Sequence, residues 1–304
     1  VPRLSIIVPH LHDDAAFEHT MLSVLVHREH ETEVLIAHDG SYSDPYGLAQ
    51  DEAVLIQSPS GESLSSLINL AVASACSPYI QVLLPGASVQ AGWNNEALDL
   101  LQDRYLDAVC VPIRCQASNE LVVGLLGASL PHRRIASNAD SVAGPLMLGS
   151  ILRKKFLHSV GGWLAGCNRE IAEVEMGLLI DTLGVEFGIA KEATIQANKR
   201  LATGQESGYE IGHACGQLAC AYSAIEDSGM AVSSLTQRLG HLASGLMSPK
   251  TVAERLGWVM GIRNRALVDV VLARVAAADA ALFSSPNTLA LPQSQDRDSH
   301  RRAA

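Results

Sequence analysis

The sequence predicts an α/β fold: a mostly parallel β-sheet with helices on both faces, followed by a helical C-terminal region. Three observations carry this. Short apolar runs end in proline, glycine or acidic turns; helical patterns of about ten residues separate them; and from Tyr209 onward helix formers dominate. Strands alternating with helices make βαβ units, whose sheet is covered on both faces and reads as continuous apolar runs.

The elements follow in order. Residues 4–9 are an apolar run, Leu4 to Val8, closed by Pro9, and predict a buried strand. Residues 14–27 place Phe17, Met21, Leu22 and Leu25 at helical spacing, with Asp13 or Asp14 to cap. Residues 33–37 predict a second strand, ending in the polar turn His38, Asp39, Gly40 and Ser41. Residues 53–56 predict a third strand and 63–74 a helix with Leu64, Leu67, Ile68 and Ala71 on one side. Residues 79–84 predict a fourth strand, stopped by Pro85 and Gly86; 92–102 a helix; 108–112 a fifth strand. A polar, basic loop is expected over 129–143, a helix over 170–183 and a strand over 189–195. Two short helices (212–226 and 232–247) and a longer, broken one (251–283) complete the pattern, with a flexible tail over 284–304 rich in Ser, Pro, Gln, Asp and Arg. The expected domains are 1–205, 206–283 and the tail.

Composition agrees. The chain has 304 residues, 48% hydrophobic and 18% charged, enough for a sizeable core and about two domains. The net charge of -10 is uneven: residues 1–130 hold four Lys/Arg against sixteen Asp/Glu, residues 230–283 six against three. An acidic first half and few aromatics argue against nucleic acid as a partner, because phosphate neutralisation needs Lys and Arg and base stacking needs rings. The basic second half reads most simply as a solvated helical surface; an anionic ligand, an acidic lipid surface or the acidic half of another copy are the alternatives. Six cysteines form no C-x-x-C, so neither zinc nor a redox pair is expected. Free thiols fit a reducing cytoplasm. No signal peptide and no apolar run of about 18 residues is seen, so the expectation is a cytoplasmic protein, with a peripheral place at a membrane as the alternative.

Ligands of such sheets bind outside the carboxyl ends of the strands. That edge gathers His10, His12, Asp39 and residues 84–88. The residues on it carry a resemblance. Ser5 to Pro9, then Glu33 to Ala37 running into His38, Asp39, Gly40 and Ser41, resembles the opening of a family 2 glycosyltransferase: a strand ending in proline, then a strand ending in Asp-Asp-Gly-Ser. Asn69, Gly92 with Trp93, Val160-Gly161-Gly162-Trp163, and Glu173 with Glu175 follow in the family's order, over roughly residues 3–205. The resemblance implies a GT-A fold, a UDP- or GDP-sugar donor and transfer of the sugar to an acceptor hydroxyl. It implies that Asp39 hydrogen-bonds the nucleobase, that Pro9, Leu11, Ser41 and Asn69 shape the nucleotide pocket, and that Glu173 or Glu175 is the base. A base must be held close to the hydroxyl it deprotonates.

The departures matter as much. Where the family carries Asp-x-Asp for Mg²⁺ or Mn²⁺, this chain has Leu84, Pro85, Gly86, Ala87 and Ser88, with no carboxylate for a hard divalent ion. A metal cofactor is therefore not expected. Cationic candidates for the diphosphate are Lys199 and Arg200 first, then Arg133, Arg134, Arg153, Lys154 and Lys155. Two other classes remain open: a catalytically inactive relative that binds nucleotide sugars or assists assembly, and a metal-dependent hydrolase built on His10-x-His12. The apolar faces of Leu256, Val259 and Met260, and of Val268, Val271, Leu272 and Val275, fit either internal packing or a homo-oligomer seam.

Overall fold

The computed structural model describes residues 1–126, 135–139, 142–203, 208–225, 249–263 and 266–283. Arg133, Arg134, the helix expected over 232–247 and the tail lie outside the described residues.

The central sheet has seven strands. Its core is β1 (Leu4–Pro9), β2 (Thr32–His38), β3 (Val54–Gln57) and β4 (Tyr79–Val82), all parallel. β1 is buried along its whole length, Leu4, Ile6, Ile7 and Val8 each at 0% exposure, which is why it reads as an unbroken apolar run. α1 (Asp14–His27) is capped by Asp13, whose side chain accepts from Ala16 N at 3.0 Å. α2 (Leu64–Ser74) is capped by Ser63. α3 (Asn95–Asp103) leads to β5 (Ala108–Cys110).

Between β5 and β11 (Ile151–Arg153) the chain makes five short strands that belong to two small three-stranded sheets. One holds β8 (Gly124–Leu126), β9 (Ile135–Ala136) and β10 (Val142–Gly144). The other holds β6 (Ile113–Cys115), β7 (Leu121–Val122) and β13 (Ile195–Ala197). β9 and β10 fall inside the segment expected to be loop. β11 is inserted antiparallel between β4 and β5, and β12 (Phe187–Ile189) closes the far edge parallel to β5.

One expected strand is divided. Residues 189–195 were read as continuous, yet β12 ends at Ile189 and β13 starts at Ile195, in different sheets. The reason is Glu96. Its carboxylate accepts from the backbone N–H of Lys191, Glu192 and Ala193, so those amides are spent on a side chain and cannot join a ladder. Burial works against the Glu96 charge, but the three amides prevail and hold its pKa below the usual carboxylate value.

α4 (Lys154–Ser159) follows β11, and α5 (Arg169–Leu183) runs from an Asn168 cap to a left-handed Gly184 at φ +63°. Because α5 feeds β12, which is parallel to β5, the start of α5 lies at the carboxyl edge of the sheet. α6 (Lys199–Thr203) follows β13.

The helical region packs as a group. α7 (Tyr209–Tyr222) and α8 (Pro249–Gly261) touch backbone to backbone. A Cβ on Gly212 would lie 1.8 Å from the Glu254 carbonyl oxygen, and one on Gly257 2.1 Å from that of Tyr209. Gly216 and Gly261 repeat the contact one turn on, so the two helices run parallel. α9 (Val268–Phe283) packs against α4, α5 and α7. The break expected within 251–283 falls between α8 and α9. No described helix is long and apolar enough to cross a membrane.

Candidate functional site

The carboxyl ends of β1, β2 and β4 lie side by side at one edge of the sheet, and the residues beyond them gather there. β1 delivers Pro9, His10, Leu11 and His12. Pro9 is buried opposite Ala37, while Leu11 is 40% exposed. His12 adopts φ +61° and its Nε2 reaches Asp39 Oδ2 at 3.3 Å. β2 delivers His38 and Asp39, and Gly40 at φ +91° turns the chain so that Ser41 faces His10. His10 is 4% exposed; Nδ1 lies 3.0 Å from Ser41 Oγ and Nε2 2.7 Å from Asp14 Oδ1. Phe17 and Tyr42 flank its ring, each with centroids 5.2 Å away.

The electrostatics follow from these contacts. The Ser41 hydroxyl and amide, together with His12, hold the Asp39 carboxyl below its ordinary range, so it presents a fixed anion at the lip. Burial, then the nearby His10, lowers the His38 pKa, against the pull of Asp39. Burial pushes the Tyr42 hydroxyl up to about 12, with Asp44 adding to it. The two histidines of the His10-x-His12 pattern join different carboxylates and do not converge. Among the described residues no group of three or more His, Cys, Asp or Glu is placed to hold a metal ion.

The 84–88 loop is fixed by its backbone. Gly86 N donates to Ala16 O at 2.9 Å and to Thr20 Oγ1 at 2.9 Å, and Thr20 Oγ1 donates to Ala87 O at 2.8 Å. Ser88 and Gln196 exchange two main-chain hydrogen bonds of 2.8 Å. Ala87 is fully buried. The loop thus offers a main-chain wall and no oxygen-rich ligand set.

Other expected site residues are placed apart from the crevice lip. Asn69 spends its amide on the 163 backbone: Nδ2 donates to Trp163 O at 2.7 Å, and Oδ1 accepts from Trp163 N at 2.8 Å. Gly162, at φ +76°, passes so close that a Cβ would sit 2.3 Å from Asn69 Oδ1. Glu173 and Glu175 are both at 0% exposure but face different neighbours. Glu173 accepts from Met147 N at 3.0 Å and from Arg169 Nε at 2.8 Å. Glu175 points into the helical region, accepting from Tyr222 at 3.1 Å and pairing with Arg274 at 2.8 Å. Burial raises its pKa, against the guanidinium and the Tyr222 hydroxyl.

The cations also separate. Arg153, Lys154 and Lys155 surround a cleft of about 690 Å³ at the amino edge of the sheet, since Arg153 pairs in register with Tyr79 at the start of β4. They stand across the sheet from the crevice. Lys199 is exposed and lies 3.3 Å from Glu120; Arg200 is exposed beside it. Arg169 is not among the expected site residues, although its i,i+4 spacing to Glu173 is the signal of a helical ion pair.

A doubly wound, mostly parallel sheet with one inserted antiparallel strand, an edge formed by the carboxyl ends of β1, β2 and β4, and a helical C-terminal layer define the class of fold. Two solved structures of one protein share it. The Staphylococcus aureus protein TarS, residues 1–349 in complex with UDP-GlcNAc, superposes with a TM-score of 0.53 at 12% identity, over 92% of this chain and 90% of that one. A longer TarS structure gives 0.52 at 12% identity, over 92% and 54%. The mannosyltransferase PcManGT from Pyrobaculum calidifontis, in complex with GDP-Man and Mn²⁺, gives 0.49 at 13% identity, over 96% and 77%. No family model and no curated protein matches the chain. The TarS likeness shows the fold, and it is the α/β class with a C-terminal helical region that the sequence predicts.

Proposed function

We propose that this chain binds a UDP- or GDP-sugar in the crevice at the carboxyl edge and transfers the sugar to an acceptor hydroxyl without a bound Mg²⁺ or Mn²⁺. The observation that carries the reading is Asp39: an ionised carboxylate, 21% exposed, at the end of β2, beside Pro9 and the His10 pocket. Such a group accepts from the ring N–H of a nucleobase. The fold it shares with a TarS complex holding UDP-GlcNAc supports the same edge as the donor site. The donor set at 84–88 does not fit a hard divalent ion, which needs several oxygen ligands.

In such a transfer the acceptor oxygen bonds to the anomeric carbon and the bond from that carbon to the diphosphate oxygen breaks. The electron pair leaves with the nucleoside diphosphate and the hydroxyl proton passes to a base. Glu173 is the residue for that role, being on α5 near the carboxyl edge, whereas Glu175 is turned into the helical layer. A noncatalytic nucleotide-sugar binder is the second reading. One observation favours it: Glu173 is fully enclosed and already holds a guanidinium and an amide.

Thermal shift with UDP, GDP and their sugars, each with EDTA or Mn²⁺, tests the binding. The expected result is stabilisation by a nucleotide sugar that EDTA leaves intact. If no nucleotide moves the melting point, the reading fails. Release of UDP or GDP from the donor, lost in Glu173→Gln, then separates a transferase from a binder.

A further inference from the structure

α5 opens at the carboxyl edge with a guanidinium that is only partly used. Arg169 is 9% exposed. Its Nε donates to Glu173 Oε1 at 2.8 Å and its Nη1 to the Leu201 carbonyl oxygen at 2.7 Å. Its Nη2 is buried with no hydrogen-bond partner. Leaving a buried charged donor unmatched is costly, and in a native structure such a group calls for an explanation.

Position supplies one. Leu201, whose carbonyl holds Arg169, also touches the 84–88 loop, its Cδ2 standing 3.5 Å from where a Gly86 Cβ would be. The partner of Glu173 on its other side is Met147 N, two residues before Gly149, whose amide is bound to Val82 O at the end of β4. The guanidinium therefore stands beside the carboxyl end of β4. It also opens a helix of 15 residues, whose amino end favours an anion. The Arg153 group is at the opposite edge, and Lys199 lies in solvent against Glu120.

Resting on the nucleotide-sugar reading above, we infer that Arg169 is the cation that receives the donor diphosphate, with Nη2 as the contacting donor group. Guanidinium binds phosphate oxygens through a rigid fork. Glu173 holds the fork in place and offsets its charge until the anion arrives. The sign of the effect at Glu173 follows: removing its charge strengthens anion binding, provided Arg169 remains.

Titration calorimetry of the full chain in EDTA, with uridine, UDP and inorganic pyrophosphate as probes, tests this. The wild type is expected to bind UDP at least tenfold more tightly than uridine. Glu173→Gln is expected to bind UDP and pyrophosphate more tightly still. The double variant Arg169→Met/Glu173→Gln, which removes both buried charges together, is expected to keep uridine affinity and lose the advantage of UDP. Retention of that advantage in the double variant, or its disappearance from the wild type in EDTA, overturns the inference. If circular dichroism finds the double variant unfolded, Arg169→Lys decides: a single ammonium cannot span Glu173, Leu201 O and a phosphate, so an unchanged UDP affinity also overturns it. Pyrophosphate binding that depends on Arg169, with no binding of uridine, UDP or GDP, keeps the anion site but sinks the nucleotide reading. Absence of both kinds of binding sinks the two together.

Discussion

His38 closes β2 with its ring 5% exposed, and its depressed pKa makes a stability prediction. The unfolded chain takes up a proton near the ordinary histidine value of 6.5, whereas the folded chain resists until a lower pH. The unfolded state thus binds more protons between the two, and stability falls as pH drops through that window. Thermal melts between pH 8 and pH 5 are expected to show a fall below about 6.5 that is smaller in His38→Gln. A second residue-scale prediction concerns Arg274. Its removal strands Glu175, at 0% exposure, in a site where, among the described residues, only Tyr222 still donates. Breaking one side of a buried pair costs about 3–5 kcal/mol, so Arg274→Met should lower the urea midpoint strongly. The change at Arg274→Met/Glu175→Gln should be smaller, because no buried charge is left over. Single residues were unevenly legible. The place of Asp39 was readable, because a polar turn after a parallel strand falls on the carboxyl edge of the sheet. The partner of Glu175 was not, since Arg274 lies 99 positions away in a segment read only as helix. Asn69 was read as a pocket residue, yet both ends of its amide hold the main chain at Trp163.

Elements obeyed local rules where burial is complete and departed from them where a side chain intervenes. The apolar run of β1 is a strand because every position on it is buried. The expected strand over 189–195 is broken because Glu96 captures three consecutive amides. The strands β6 to β10 are two or three residues each, too short for alternation to show. The pairing of α7 with α8 left a signal that was not used: Gly212 and Gly216 on one helix, Gly257 and Gly261 on the other, each pair four apart. Small residues at that spacing let backbones approach. Gly212→Ala places a methyl group 1.8 Å from a main-chain oxygen, and overpacking of this kind costs about 1–3 kcal/mol or more. Chemical denaturation of Gly212→Ala should show a loss in that range. Gly208→Ala, where a Cβ meets nothing within 4 Å, is the control and should differ from wild type by well under 1 kcal/mol, a surface-level change.

At the scale of the molecule, the helical region is bound to the sheet domain rather than appended to it. α9 reaches across through Arg274, which donates to the carbonyl oxygens of Gly161 and Gly162 and pairs with Glu175. Asn69 grips the next residue of the same loop from α2. The 161–163 segment is thus clamped from both domains. In a Trp258→Phe variant, which leaves Trp93 and Trp163 as the fluorophores, unfolding followed by fluorescence should coincide with loss of far-ultraviolet ellipticity, which includes α7 to α9. Two separated transitions would show that the regions fold independently. The clamp was not legible in the sequence, because it depends on three segments far apart in the chain.

The thiols lead somewhere practical. Cys76 alone is exposed; Cys167 and Cys220 are half-buried, Cys110, Cys115 and Cys215 are buried, and burial lifts Cys110 to about 12 and Cys167 to about 11. A maleimide dye at neutral pH should therefore attach first at Cys76, just ahead of β4 and across the sheet from the crevice. A fluorophore placed there without mutagenesis would stay clear of the carboxyl edge, giving a ready-made reporter for testing ligands on the native chain.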